Sequence, residues 1–412
     1  MKAKIKNSKD VGLKNKILKQ LFFNKSLSCL DLSELINKSI PFVTKAIHEM
    51  IEDDMVIEQG YAPSSGGRRP LMYTLKPDKM YVVSVAMDQL ITRITIIDSS
   101  TNYITPVSSL ELPLYNNTSA LSQLIEFISL HIENSGIRKE QIVGVGIGMP
   151  GFINTEEGAN YTFLNAGDQS LQKHLSTALS LPVYIDNDSS LIALAEFKFG
   201  LAKSKDTALV INVGWGIGLG LILNGQLFRG HSGFAGEFSH IPTSDNDNLC
   251  SCGKRGCLET EASMLLVANK ALEEYKQGTV SSLGDISNLS PREVVSAIME
   301  AANKGDQYAV ELILDAGYAL GRGVSILIHI INPEVIILSG RGAVVGKILL
   351  ASIQQALHKY TIPRLAESTE LCVSNLGFEA EIIGAASLVI ENLDKTPAKL
   401  KSATVPKGAL IS

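Results

Sequence analysis

The chain has 412 residues, of which 45% are hydrophobic and 19% charged. That balance excludes a disordered chain, and the length favours two or three domains over a single core. The net charge of −5 is unevenly placed: residues 1–80 hold 14 Lys+Arg and 9 Asp+Glu, and the remainder holds 23 and 33. A basic head on an acidic body fits a polyanion-binding module joined to a domain with another task; a solvated Lys-rich tail would give the same asymmetry. No run of 18 or more residues is uninterrupted apolar, so membrane insertion is not expected. The Lys-rich start lacks an apolar stretch and a small-residue cleavage site, so a cytoplasmic location is expected. The five cysteines form an odd count, and three of them lie within eight residues, which argues against a disulfide framework.

Residues 1–9 are polar and expected to be mobile. A helical period begins near Val11, with Leu13, Ile17, Leu18, Leu21 and Phe22 on one face. A short second helix presents Leu32, Leu35 and Ile36, with Asp31 as its expected cap. A third helix follows from Phe42 to Ile51, with Pro41 in its first turn. Met55–Glu58 and Met72–Leu75 predict two strands flanking the turn Ser64-Ser65-Gly66-Gly67-Arg68-Arg69-Pro70. Three helices and a two-stranded wing make a winged helix-turn-helix. Its recognition helix would bury Val43, Ala46, Ile47 and Met50. Ser39, Phe42, Thr44, Lys45 and His48 would then face DNA, with Arg68 and Arg69 on the wing reaching backbone or minor groove. A winged helix that docks protein instead of DNA is the alternative.

From Tyr81 onward strands and helices alternate, which predicts an α/β architecture. Strands are predicted at Tyr81–Ala86, Arg93–Asp98, Ile142–Gly148, Val183–Ile185 and Val335–Leu338. Helices are predicted at 119–135, Ser190–Phe199, 262–277, 291–304 and 306–331. Ala208–Val213 and Gly218–Leu223 predict a glycine-rich hairpin. Residues 395–412 are assigned no structure.

His240, Cys250, Cys252 and Cys257 form the run His-x9-Cys-x-Cys-x4-Cys. Three thiolates and one imidazole are the ligand set of a closed, structural tetrahedral zinc site. Gly253 and Gly256 permit the tight loop. A reduced, metal-free loop is the alternative. The site would brace the loop that carries Glu237 and Glu259.

At these residues the sequence resembles the ROK family (repressors, open reading frames and sugar kinases). Gly236-Glu237-Phe238-Ser239-His240 and Cys250-Ser251-Cys252-Gly253-Lys254-Arg255-Gly256-Cys257-Leu258-Glu259 look like its sugar-and-zinc signature. Val213–Gly220 looks like its second phosphate motif, and Ile185-Asp186-Asn187-Asp188 like the segment bearing the kinase base. Gly148–Gly151 and Asn332–Gly340 also match. The head is similar to the family's repressor branch, and the resemblance covers about residues 12–392. It implies an N-terminal winged helix-turn-helix (1–78) followed by a two-lobed actin-like, ribonuclease H-like fold (79–394). Lobe one would take about 79–188 plus a C-terminal helix at 380–394, and lobe two about 189–379. It further implies sugar contacts at Asn165, Asn187, Asp188, Glu237, His240 and Glu259. Carboxylates and amides suit a ring of hydroxyls.

The nucleotide motifs depart from the kinase pattern. Met87-Asp88-Gln89-Leu90-Ile91-Thr92 stands where the kinases have a Gly-Gly-Thr turn after the aspartate, and Trp215 where they have a small hydroxyl residue. The expectation is a sugar-responsive, DNA-binding repressor with structural Zn2+, no ATP and no catalytic residue, Asp188 being a vestigial base. It would act as a homodimer or homotetramer on a palindromic operator, with a sugar or sugar phosphate as effector. The alternatives are an ATP-dependent sugar kinase with a regulatory head, and a DNA-binding protein whose sensor docks a partner protein.

Overall fold

The computed structural model describes residues 2–63, 69–244 and 247–395, without the side chains of residues 2–10 and 395. The chain divides into two units. One comprises Met1–Ile147, Thr155–Ile185 and Ala385–Ser412; the other comprises Gly148–Asn154 and Asp186–Gly384.

The first unit opens with α1 (Lys2–Asn24), β1 (Leu27–Ser28), α2 (Cys29–Leu35), α3 (Ile40–Glu52), β2 (Val56–Tyr61) and β3 (Leu71–Leu75). Ile17, Leu21, Phe22, Leu32, Val43, Ile47 and Met50 bury their side chains as its core. Helix α1 starts at Lys2, not near Val11, because nothing from Lys2 to Val11 breaks a helix. The cap of α2 is Ser28 and not Asp31. Asp31 is the third residue of a capping box, in which each side chain takes the other's backbone N–H. The wing sheet has three strands in the order β1-β3-β2. The extra strand is two residues long and exists through pairing with Met72 and Tyr73. Asn15 Nδ2 donates to the Leu393 carbonyl at 2.9 Å, and Lys19 pairs with Glu391, so α1 is fastened to the end of the C-terminal segment.

The rest of this unit is a sheet with a helical layer. Its elements are β4 (Tyr81–Met87), β5 (Ile91–Asp98), β6 (Ser108–Glu111), α4 (Ala120–Asn134), β7 (Ile142–Met149), the two-residue strands β8 (Ile153–Asn154) and β9 (Ala159–Asn160), α5 (Leu171–Leu179) and β10 (Val183–Asn187). The last residues of β7 and β10, and all of β8, fall in the second unit. The sheet order is β10-β7-β4-β5-β6. Helix α4 buries Ala120, Leu124, Ile128 and Ile132, four apart along one stripe.

The second unit holds α6 (Asp188–Phe199), β11 (Ala208–Val213), β12 (Ile217–Leu223), β13 (Gln226–Phe228), α7 (Glu259–Ala262), α8 (Met264–Lys276), α9 (Pro291–Asn303), α10 (Gln307–Ile331), β14 (Val335–Ser339), α11 (Gly346–Tyr360), α12 (Pro363–Ser368) and β15 (Glu370–Val373). The final helix, α13 (Glu379–Glu391), begins in this unit and ends in the first. The sheet order is β13-β12-β11-β14-β15. β11 and β12 form the expected antiparallel hairpin, and β11 runs parallel to β14. The helix expected over 262–277 is broken at Ser263, which is extended and accepts the Leu266 N–H to cap α8. Helix α10 has the length and hydropathy to cross a membrane, but its apolar face, including Leu312, Ile313, Leu320 and Val324, is buried in this core.

Two features carry measurable consequences. A Cβ on Gly146 of β7 would lie 1.9 Å from the Ala385 carbonyl oxygen, whereas one on Gly12 in α1 would meet nothing within 4 Å. Gly146→Ala is expected to cost about 1–3 kcal/mol, read as a lower unfolding midpoint. Gly12→Ala should add about 0.5–1 kcal/mol through helix propensity. Glu196 of α6 is fully buried; it accepts the Leu201 N–H at 3.0 Å and the Ser374 hydroxyl. Burial raises its pKa. A carboxyl with a raised native pKa binds more protons folded than unfolded, so its contribution to stability falls as pH rises through that value. Wild type should therefore lose stability relative to Glu196→Gln as pH rises above the ordinary carboxylate range and through the raised native pKa. A wild-type minus variant difference that stays flat in thermal unfolding would refute this.

Candidate metal centre and ligand site

The loop after β13 turns back on the sheet at Gly236, whose φ is +96°. A Cβ there would lie 2.3 Å from the Leu219 carbonyl oxygen of β12, so only glycine permits the approach. One 3-10 turn, Phe238–His240, then buries Phe238 and Ser239 and leaves His240 facing the cysteines. The cysteine knuckle is closed by its own backbone. The Cys250 N–H donates to the Lys254 carbonyl at 2.8 Å, and the Gly253 N–H to the Cys250 carbonyl at 2.9 Å. Bridges pair Leu249 with Arg255 and Pro242 with Cys257.

The ligand atoms of His240, Cys250, Cys252 and Cys257 all lie within 4.8 Å of one another. His240 Nδ1 is 3.5 Å from Cys250 Sγ, and Cys252 Sγ is 3.6 Å from Cys257 Sγ. A tetrahedral ion with zinc-like bond lengths has sulfur–sulfur edges of about 3.8 Å and sulfur–nitrogen edges of about 3.6 Å. A disulfide would need about 2.05 Å, and all five cysteines are free thiols. The four side chains could therefore hold one tetrahedral metal ion. Burial, reinforced by the neighbouring Cys252 and Cys250, pushes the Cys257 thiol up to about 12. Such a thiol ionises near neutrality only when a cation sits among the sulfurs.

Two carboxylates border the cluster. Glu259 Oε2 is 3.6 Å from Cys250 Sγ, and Glu237 Oε2 is 3.8 Å from His240 Nε2. The imidazole thus turns Nδ1 to the sulfurs and Nε2 to a carboxylate, the arrangement in which an outer partner fixes the ring of a metal-bound histidine. Gly216, in the β11–β12 turn, faces Glu259: a Cβ there would be 2.4 Å from Oε1.

Asn187 and Asp188 sit where β10 gives way to α6. Asn187 caps the helix, accepting the Ser189 and Ser190 N–H groups at 3.0 and 3.2 Å, and donates to the Gly151 carbonyl at 3.3 Å. Asp188 accepts the Ser189 N–H at 2.8 Å and faces Asn212 Nδ2 at 3.4 Å. Asn165 belongs to the first unit, where its side chain is exposed and accepts the Gly167 N–H at 2.8 Å. Sequence reasoning missed Arg229. Its guanidinium forms an ion pair with Asp186, which is 2% exposed and accepts the Asn187 N–H at 2.9 Å. The pair joins residues 43 apart, and no local pattern announces it.

The turn between β4 and β5, which the sequence places at a phosphate motif of the family, is closed by its own side chain. Asp88 Oδ1 accepts the N–H groups of Leu90 and Ile91, both at 2.8 Å. Those amides serve the turn's own carboxylate, and an anion would have to displace it. Trp215 is buried, at 6% exposure.

On the head, Ser39 stands at the N-cap of α3, and Phe42, Lys45 and His48 are exposed. Thr44, Lys45 and His48 share a shallow groove with Glu49 and Glu52. Arg69 is exposed just before β3, and Arg68 lies outside the described residues, as do residues 396–412.

These features define a winged helix-turn-helix head on an actin-like α/β body with a Cys3His knuckle. Residues 92–392 match the model of the ROK family, and the chain belongs to that family. It is 29% identical over 390 residues to the xylose repressor of Caldicellulosiruptor bescii, covering 92% of this chain and 96% of that one. It is 34% identical over 256 residues to a glucokinase of Halalkalibacterium halodurans, covering 61% and 77%. A crystal structure of a ROK family transcriptional regulator, a homolog of the E. coli MLC protein, superposes with a TM-score of 0.76 at 24% identity, covering 93% and 96%.

If the knuckle is a metal crosslink, Cys257→Ser will lose the bound ion and unfold at a lower temperature than wild type. Metal analysis of both proteins, purified without chelator, decides: equal metal content would remove the site.

Proposed function

We propose that this chain is a sugar-responsive transcription regulator that represses genes of carbohydrate metabolism. The observation that carries this reading is the likeness to a xylose repressor over nearly the full length of both chains. Residues 1–78 form the DNA-binding domain. Residues 79–394 form the sensor, with lobe one over about 79–188 plus 380–394 and lobe two over about 189–379. Ser39, Phe42, Thr44, Lys45 and His48 on α3 face the major groove, while Arg68 and Arg69 on the wing reach the backbone or minor groove. The ion in the knuckle is zinc, held by His240, Cys250, Cys252 and Cys257, and its four protein ligands make it structural. Asn165, Asn187, Asp188, Glu237, His240 and Glu259 bind the sugar, with xylose the first candidate because of the relative's name. The working form is a homodimer or homotetramer matched to a palindromic operator, in the cytoplasm where the DNA is.

The competing reading is a sugar kinase, favoured by the glucokinase relative. Against it stand the spent amides after Asp88 and the indole of Trp215 beside the second glycine motif. Phosphoryl transfer rests on positioning and charge stabilisation, and both motifs have lost the groups for it. Asp188 is then a ligand contact and no longer a base.

The test is binding to DNA upstream of the chain's own gene as a function of salt. Lys45→Ala and Arg69→Ala should each weaken binding and lower the log–log salt slope by about 1. Xylose should release the wild-type complex. Absence of DNA binding at low salt, together with sugar-dependent consumption of ATP, would reverse the assignment.

A further inference from the structure

Helix α3 carries two apolar side chains that its own packing does not use. Val43, Ala46, Ile47 and Met50 fill its buried stripe. Ile40 and Phe42, in its first turn, stand outside that stripe and are 45% and 67% exposed. Their neighbours on the open side are polar or charged. Ile40, Thr44 and His48 follow one another at four-residue spacing and line one shallow groove with Lys45 and Glu49. Lys45 lies three residues on from Phe42, one turn further along the same side. Glu49 does not make this face acidic: its carboxylate lies 3.2 Å from the Lys14 ammonium and 3.9 Å from that of Lys45. Glu52 closes the groove in the last turn, about 18 Å along the helix axis from Ile40. The first turn of α3 thus presents a branched aliphatic chain and a phenyl ring beside hydroxyl, imidazole and ammonium groups.

We propose that Ile40 and Phe42 read the 5-methyl groups of thymine in the major groove, so that methyl groups, and not hydrogen bonds alone, set the sequence this head prefers. The inference rests on the DNA-binding reading given above and specifies what that face recognises. Base edges in the major groove offer donors and acceptors at every pair, but an apolar surface only at the thymine methyl. A recognition helix meets base edges with its N-terminal residues, which is where both side chains stand. The charge around them selects the same partner. Residues 1–80 hold 14 Lys+Arg against 9 Asp+Glu, and Lys45 and Arg69 are exposed on this head. A protein partner could also cover the two apolar side chains, but its binding would be indifferent to a methyl group on DNA.

The region upstream of the chain's own gene is amplified once with thymidine triphosphate and once with deoxyuridine triphosphate in its place. The two fragments pair alike and carry the same phosphates, but the second lacks every thymine methyl. The full-length protein should bind the thymine fragment at least about tenfold more tightly, because each methyl buried against a side chain is worth about fourfold and two side chains make such contacts. The double variant Ile40→Ala/Phe42→Ala should bind the thymine fragment more weakly and the uracil fragment as wild type does, so the ratio falls towards one. Both side chains are exposed, and an unchanged unfolding midpoint checks that the variant folds. Phe42→Leu, which keeps an apolar side chain, should retain most of the preference. Lys45→Ala should weaken both fragments by the same factor, since a phosphate contact is blind to the methyl. The proposal is overturned by equal wild-type affinity for the two fragments, or by a preference that survives in the double variant. Failure to bind either fragment at low salt would overturn the regulator reading and this proposal with it, so the two failures are told apart.

Discussion

Three sulfurs and one imidazole nitrogen lie within 4.8 Å of each other, and among the described residues they form the group that could hold a metal ion. Among the described residues, the loop that supplies them is otherwise held by two isolated bridges, backbone hydrogen bonds and polar contacts such as Arg255 with Asp247 and Ser244 with Glu261. Neutral thiols crowded at this distance gain almost nothing from one another, whereas thiolates around a cation form a crosslink worth far more than the packing of a short loop. Glu237 and Glu259 would border such a crosslink, one beside His240 and the other beside Cys250.

The same fold serves kinases and regulators, and what two turns of this chain do with their amides bears on the choice between them. A phosphate-binding turn must keep N–H groups aimed outward and unspent. Around Asp88 they point inward to a carboxylate, so the turn is satisfied without an anion. The β11–β12 turn differs in another way. Its backbone is tied down, with Gly214 donating to the Gly216 carbonyl and accepting the Met264 N–H, and a large apolar ring occupies its centre. Both turns are thus held by hydrogen bonds of their own.

Much of this was legible in the sequence, for reasons that differ by element. The β11–β12 hairpin and the long helix α10 announce themselves because alternation and the 3.6-residue period are local properties. The knuckle is legible because cysteine is scarce in this chain and its spacing is chemically specific. β1 was invisible: two residues become a strand only because β3 is there to pair with them. β15 is half-exposed and pairs in parallel with β14, so it lacks the apolar run of a buried strand. α5 buries Leu171, Leu175 and Leu179, a helical stripe that is readable in hindsight but short enough to pass for a loop. The Asp186–Arg229 pair and the closed Asp88 turn are tertiary and geometric facts, and no spacing rule encodes either.

A regulator must transmit as well as bind, and a ligand moves a distant equilibrium only through elements whose two arrangements it distinguishes. The chain places one helix where such an element is needed. α13 starts among residues that pack on the second unit, where Ala380 joins its core, and ends in the first unit. Just beyond, the Leu393 carbonyl accepts from Asn15, and Glu391 pairs with Lys19, both on the first helix of the head. The Asn15 bond is buried, so breaking it would leave a carbonyl and an amide without water, at a cost of about 1–3 kcal/mol. That is the size of a typical coupling free energy between sites. One hydrogen bond and one ion pair at this joint therefore fasten α1 to the segment that closes α13, and the buried bond has a strength of the size of such a coupling.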